Sequence, residues 1–185
     1  MIRSLFPLAL VGVGLGGLLG CAKSLAPDPV ADTAASVQQV VVDGVVELLL
    51  DATDEYAWVP YSFADAAVVD EGLEHVRFQR YRVALAEGTS VARLPGADLD
   101  EPIDLGALEW LSDAAAPVED EDYAMFEWYA YDHASHTLAP KDERYVFRLS
   151  EGAEGYVVLV FDDYYDDAGT PARLSMRWTS VTEAR

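Results

Sequence analysis

Residues 128–141 read WYAYDHASHTLAPK. His133 and His136, two of the chain's three histidines, stand three residues apart behind a run of aromatics. A neutral imidazole is a good metal ligand, and an aromatic ring such as Tyr131 suits the wall of a ligand pocket. Two histidines with no cysteine nearby make a weak zinc site. The same residues also spell a β-hairpin, with Asp132, Ala134 and Ser135 in its turn and both imidazoles facing solvent at its tip. The local sequence leaves both readings open.

Other chemistry-bearing residues are less informative. FDDYYDD (161–167) is rich in aspartate, but calcium takes six to eight oxygens and a solvated turn explains the run more simply. His75 opens a strand, away from the 128–141 stretch. There is no Gly-rich phosphate loop, no Gly-x-Ser-x-Gly and no cysteine placed as a nucleophile. Paired carboxylates carry no information in a chain with 33 Asp+Glu. The expectation is a binding protein rather than an enzyme.

The elements that must position these residues read as strands. VVELLL (45–50) is a short apolar run, and YVFRL (145–149) and LSMRWTS (174–180) alternate with period two. GYVVLVF (155–161) is apolar on both faces, as expected of a central strand. WVPYSF (58–63) and HVRFQRYRVAL (75–85) each switch parity part-way. A bulge accounts for each switch, or an edge position in the case of Pro60. SEGAEG (150–155) and DDAGTP (166–171) are turns, and 86–101 and 112–122 read as loops. One short helix is expected near 104–111, where Asp104 precedes Leu105, Leu108 and Leu111 at helical spacing. Closely spaced strands separated by Gly, Pro and Asp turns predict an antiparallel all-β domain.

The ends and the charge bound the setting. Residues 1–20 carry Arg3 and then an apolar stretch to Leu19, the layout of an export signal and too short to span a bilayer readily. The following Cys21, in LLGC, is the sole cysteine and stands where a bacterial lipobox would be acylated. Two or more acyl chains anchor a protein stably. Alanine at 22 points to the outer membrane. Residues 21–40 then read as lipidated cysteine and tether, and 41–185 as one domain. With 12 Lys+Arg against 33 Asp+Glu the net charge is −21, which excludes nucleic acid as a partner. A hydrophobic content of 51% is enough for a core and rules against disorder.

Several segments follow a familiar order. WVPYSFADAAVV (58–69), FQRYRVALAEGTS (78–90) and the whole of 128–178, with its Trp-led strand, Pro-Lys, Tyr-Val strand and Tyr-Tyr-Asp, resemble the HmuY family of haem-binding outer-membrane lipoproteins. The resemblance covers nearly all of 45–180 and implies an all-β fold of two mostly antiparallel sheets. It also implies non-enzymatic capture of haem or a related tetrapyrrole for uptake, delivery to a TonB-dependent receptor, and axial ligands on loops at one end of the sheets. By position His133 matches the family's second axial histidine, with Tyr131 beside the porphyrin face. The stretch before Trp128 is shorter than in haem-binding members and holds no histidine for the first ligand. Met125 is the candidate there, and core packing is the plainer reading of it. His136 is unsuited to the opposite face of the same iron. Axial imidazoles hold their Cα atoms roughly 12 Å apart, and three residues span at most about 11 Å. The alternative is an envelope lipoprotein of the same fold that has lost haem ligation and binds another ligand or a protein partner.

Overall fold

The computed structural model describes residues 37–149 and 155–181. The expected leader, Cys21 and most of the tether lie outside the described residues, as does most of the SEGAEG turn. The strands are β1 (Val37–Val42), β2 (Val45–Asp51), β3 (Val59–Ser62), β4 (Ala67–Val68), β5 (Val76–Gln79) and β6 (Arg82–Leu85). They continue as β7 (Ser90–Pro95), β8 (Tyr129–Asp132), β9 (Thr137–Pro140), β10 (Glu143–Arg148), β11 (Tyr156–Tyr165) and β12 (Pro171–Val181). β1 opens at Val37, so the end of the expected tether is already strand. All pairings between these strands are antiparallel.

Six strands form one sheet in the order β1-β2-β12-β11-β10-β7, and four form a second in the order β4-β3-β5-β6. The pair β8-β9 is a separate two-stranded hairpin. Side chains alternate across a strand, and the main core takes one face of each large sheet. Leu48 and Leu50 of β2, Leu174, Met176 and Trp178 of β12, and Leu159 and Phe161 of β11 meet Tyr61, Val76, Phe78 and Val83 of the smaller sheet. Within this core Trp178 donates its indole N–H to the Tyr61 hydroxyl at 3.2 Å, so neither buried polar atom lacks a partner.

A second, smaller core explains why β11 is apolar on both faces while β12 alternates. Val158 and Val160 of β11, Val146 of β10 and Ala92 of β7 are covered by Leu99, Ile103, Leu105, Leu108 and Trp110 from the segment after β7. Over β12 the outer positions are Arg173, Ser175 and Arg177, all only partly buried. Arg144 pins the covering segment by donating to the carbonyls of Asp98 at 2.8 Å and Glu101 at 3.0 Å, with the Glu101 carboxylate at 2.9 Å.

Four local expectations are corrected. The helix expected near 104–111 is a single 3-10 turn, Leu105–Ala107, in which Asp104 accepts from the Gly106 N–H at 3.1 Å. Its leucines are spent on covering the sheet, and Leu111 pairs with Val91 as an isolated bridge. The expected loop 86–101 contains β7, which pairs with β10 along six residues. The parity switch in HVRFQRYRVAL is a two-residue hairpin turn at Arg80-Tyr81 and not a bulge: Gln79 faces Arg82 and Phe78 faces Val83. Residues paired across such a turn have opposite parity yet share a face. The usual Asn-Gly signal is absent, since Arg80 takes the left-handed conformation at φ 56. In WVPYSF the buried apolar set is Val59, Tyr61 and Phe63, which alternate without a bulge. Pro60 turns its carbonyl, and hence its missing N–H, toward β4, where it accepts only from Val69 beyond that two-residue strand.

His75 stands in this core at 6% exposure, its Nδ1 accepting the Phe63 backbone N–H at 3.2 Å. Burial lowers its pKa below the ordinary 6.5, and the nearby Asp65 carboxylate only partly opposes this. A proton on Nδ1 would also face the Phe63 N–H. The unfolded chain therefore takes up this proton first, and the contribution of neutral His75 is present above pH about 6.5 and is lost as pH falls through the folded value. Urea midpoints measured between pH about 7.5 and about 5 are expected to fall. They are expected to fall less in His75→Gln; an equal pH slope in that variant would remove His75 as the cause.

Candidate functional site

The β8-β9 hairpin packs against the end of β11, and Trp128 roots it. The Trp128 ring stacks on Phe161 with centroids 4.0 Å apart and an angle of 22°. Its indole N–H donates to the Tyr81 carbonyl at 2.7 Å, and its own carbonyl accepts from the Lys141 N–H at 3.1 Å. On the other strand the Leu138 N–H donates to the Tyr165 hydroxyl at 3.1 Å. Tyr81 and Tyr129 meet edge to face at 5.8 Å beside this root. Burial, reinforced by Tyr81, Asp120 and Glu127, pushes the Tyr129 hydroxyl up to about 12, so it stays a neutral donor at any physiological pH.

The tip is a four-residue turn, His133 to His136, closed by Asp132 opposite Thr137. Asp132 organises it: its carboxylate accepts from the Ala134 N–H and from the Ser135 hydroxyl, both at 2.8 Å. Those donors hold its pKa below the usual aspartate value. His136 takes the left-handed conformation at φ 58 and shares a 2.7 Å hydrogen bond through Nδ1 with the Tyr131 hydroxyl. The His133 ring lies edge-on to the Tyr131 ring at 4.8 Å. Tyr131, 43% exposed, thus touches both imidazoles, and both histidines face solvent. Among the described residues no hydrogen bond engages the His133 ring, which leaves its nitrogens open to a ligand.

No protein-family model and no curated protein sequence matches the chain. Solved structures do match it. A Bacteroides vulgatus protein assigned as HmuY-like and haem-binding superposes with a TM-score of 0.58 at 12% identity, over 78% of this chain and 97% of its own. The apo HmuY analogue of Tannerella forsythia gives 0.57 at 8% identity, over 82% of this chain and 100% of its own. A Bacteroides fragilis protein assigned as a lipoprotein gives 0.56 at 13% identity, over 76% and 92%. The fold is HmuY-like.

On this HmuY-like frame the structure brings together Tyr131, His133 and His136, and sets Met125 apart from solvent. Met125 is 1% exposed in the main core. Two clamps hold its flanks. Arg93 donates to the carbonyls of Ala124 (2.6 Å) and Phe126, and Asp113 accepts the N–H groups of Ala124 and Leu85, each at 2.8 Å. Burial raises the Asp113 pKa, an effect the two backbone donors oppose. Neither clamp is legible in the sequence, because each joins residues remote in the chain.

The cations near the candidate site are already engaged. Arg82 pairs with Asp120 at 2.6 Å and Lys141 with Glu127 at 3.7 Å, while Arg80 donates to the Thr53 carbonyl at 3.2 Å. Three of the four aspartates of FDDYYDD are engaged too. Asp162 pairs with Arg177 at 2.8 Å, Asp163 accepts from the Tyr164 and Tyr165 N–H groups, and Asp166 from those of Ala168 and Thr170. These contacts form the strand-to-turn junction. Among the described residues no group of three or more His, Cys, Asp or Glu is placed to hold a metal ion, and no helix is long and apolar enough to cross a membrane.

Proposed function

We propose that this protein binds haem or a related tetrapyrrole without catalysing a reaction, as an exported lipoprotein anchored through acyl chains on Cys21. The observation that carries the reading is the solvent-facing His133 imidazole, held on a rigid hairpin tip against the Tyr131 ring. The HmuY-like fold supports it, because a neighbour of that fold is assigned as haem-binding. The residues present fit one axial ligand: an imidazole with open nitrogens beside an aromatic wall. His133 would hold the iron, and Tyr131 would offer an aromatic surface beside it. Met125 is the candidate for the opposite face, and its sulfur reaches iron only if the segment between Asp113 and Phe126 opens. While that segment stays closed, His133 would be the one residue of this chain positioned to hold the iron. The neighbouring Arg80, Arg82 and Lys141 are already engaged, so haem propionates would have to compete for them. The outer membrane, with a TonB-dependent receptor as recipient, is the setting this reading implies.

Titration of the purified protein, free of any histidine tag, with hemin tests the proposal. A saturable, shifted Soret band is expected, weakened at least about tenfold in His133→Ala and little changed in Met125→Leu. Without a saturable shift in the wild type, the rival reading of a same-fold lipoprotein with another ligand or a protein partner takes over. A shift untouched by His133→Ala would leave haem binding in place and remove His133 as its ligand.

A further inference from the structure

On the outer face of the four-stranded sheet, two open clefts of about 330 Å³ each meet at Arg77. Tyr56, Trp58 and Glu71 wall one, Leu85 and Glu87 the other, and Glu74 and Arg77 line both. Each lies at the small end of the roughly 300–1,000 Å³ typical of ligand clefts. None of these residues belongs to the β8-β9 hairpin.

The lining is built rather than incidental. Arg77 points outward from β5, between the buried Val76 and Phe78. Its guanidinium lies over the Trp58 ring at 5.0 Å and 3.7 Å from the Glu71 carboxylate. Tyr123 braces Trp58 from behind at 6.0 Å. Tyr56 is 89% exposed, yet its backbone is fixed, because the Asp54 carboxylate accepts from the Tyr56 and Ala57 N–H groups at 2.7 and 2.9 Å. This large ring adds nothing to the core and stands at the wall of the cleft that Trp58 and Arg77 also line.

Charge selects the ligand class. Three carboxylates, those of Glu71, Glu74 and Glu87, line the clefts against one guanidinium, on a chain of net charge −21, so an anion is repelled. The Trp58 face already carries a cation, which works against a second one. A neutral molecule with an apolar face for the rings, hydroxyl donors for the carboxylates and hydroxyl acceptors for the guanidinium meets every group present. We propose that this cleft binds a neutral saccharide, a site separate from the hairpin tip.

The test follows the Trp58 indole N–H resonance of the full-length protein. The probes are maltotriose, cellotriose and diacetylchitobiose, with choline as cationic and glucose 6-phosphate as anionic controls. At least one neutral sugar is expected to shift the resonance saturably at millimolar concentration, with affinity lowered at least about fivefold in Tyr56→Ala and in Arg77→Gln. Tyr56→Ala removes an exposed side chain and keeps the fold, and it should leave the hemin titration unchanged. The proposal is overturned if no neutral sugar shifts Trp58, if choline or glucose 6-phosphate binds as well as the sugars, or if both variants keep wild-type affinity.

Discussion

Trp128→Ala is expected to destabilise the domain by about 3–5 kcal/mol, the usual cost of removing a fully buried aromatic. Three losses combine. The stack on Phe161 at 4.0 Å disappears and leaves a cavity among Phe161, Tyr164 and Met125. The Tyr81 carbonyl loses its 2.7 Å donor at the turn between β5 and β6. The β8-β9 hairpin loses its root, so the His133 tip no longer has a fixed position. Trp128→Phe keeps most of the stack and gives up the hydrogen bond, for a cost of about 1–2 kcal/mol. Urea denaturation followed by circular dichroism measures both. A Trp128→Ala cost below about 1 kcal/mol would show that the hairpin is not held this way.

Arg93→Leu is expected to cost about 2–4 kcal/mol, because two carbonyls lose charge-assisted donors together. Arg93 lies opposite Tyr145 in the register of β7 and β10, on the inner face of the large sheet. From there it grips Ala124 and Phe126 on either side of Met125. Faster amide hydrogen exchange confined to the segment from Asp113 to Phe126 should accompany the loss. If exchange there is unchanged, Arg93 does not restrain that segment. The variant also tests the proposed haem site: a six-coordinate hemin spectrum in Arg93→Leu that vanishes in Arg93→Leu/Met125→Leu would identify Met125 as the second ligand.

Much of the architecture was legible because alternation is a local property. Leu174, Met176 and Trp178 read as one face and are one face. GYVVLVF read as doubly covered and is, with the segment from Leu99 to Trp110 supplying the second cover. The 104–111 stretch misled because its leucine spacing fits a helix face, while the sheet it covers accepts the same leucines from an extended chain. The strand β7 was hidden for the opposite reason. Its partner β10 lies some fifty residues on, and a strand's pairing, unlike its alternation, is not written in its own residues.

By itself, the sequence determined an acidic all-β chain of antiparallel strands with no motif for catalysis, and left the histidine-bearing stretch after Trp128 open between a hairpin and a pocket edge. Local pattern and turn chemistry suffice for that, since each depends on neighbours a few residues apart. Tertiary structure alone decided which side chains meet solvent. It buried His75 and Met125, left His133 and Tyr131 outside, and gathered Tyr56, Arg77 and Glu87 from three separate segments around one pair of clefts. The physical reason is that exposure depends on what packs against a residue from a distant part of the chain, which no local spacing records.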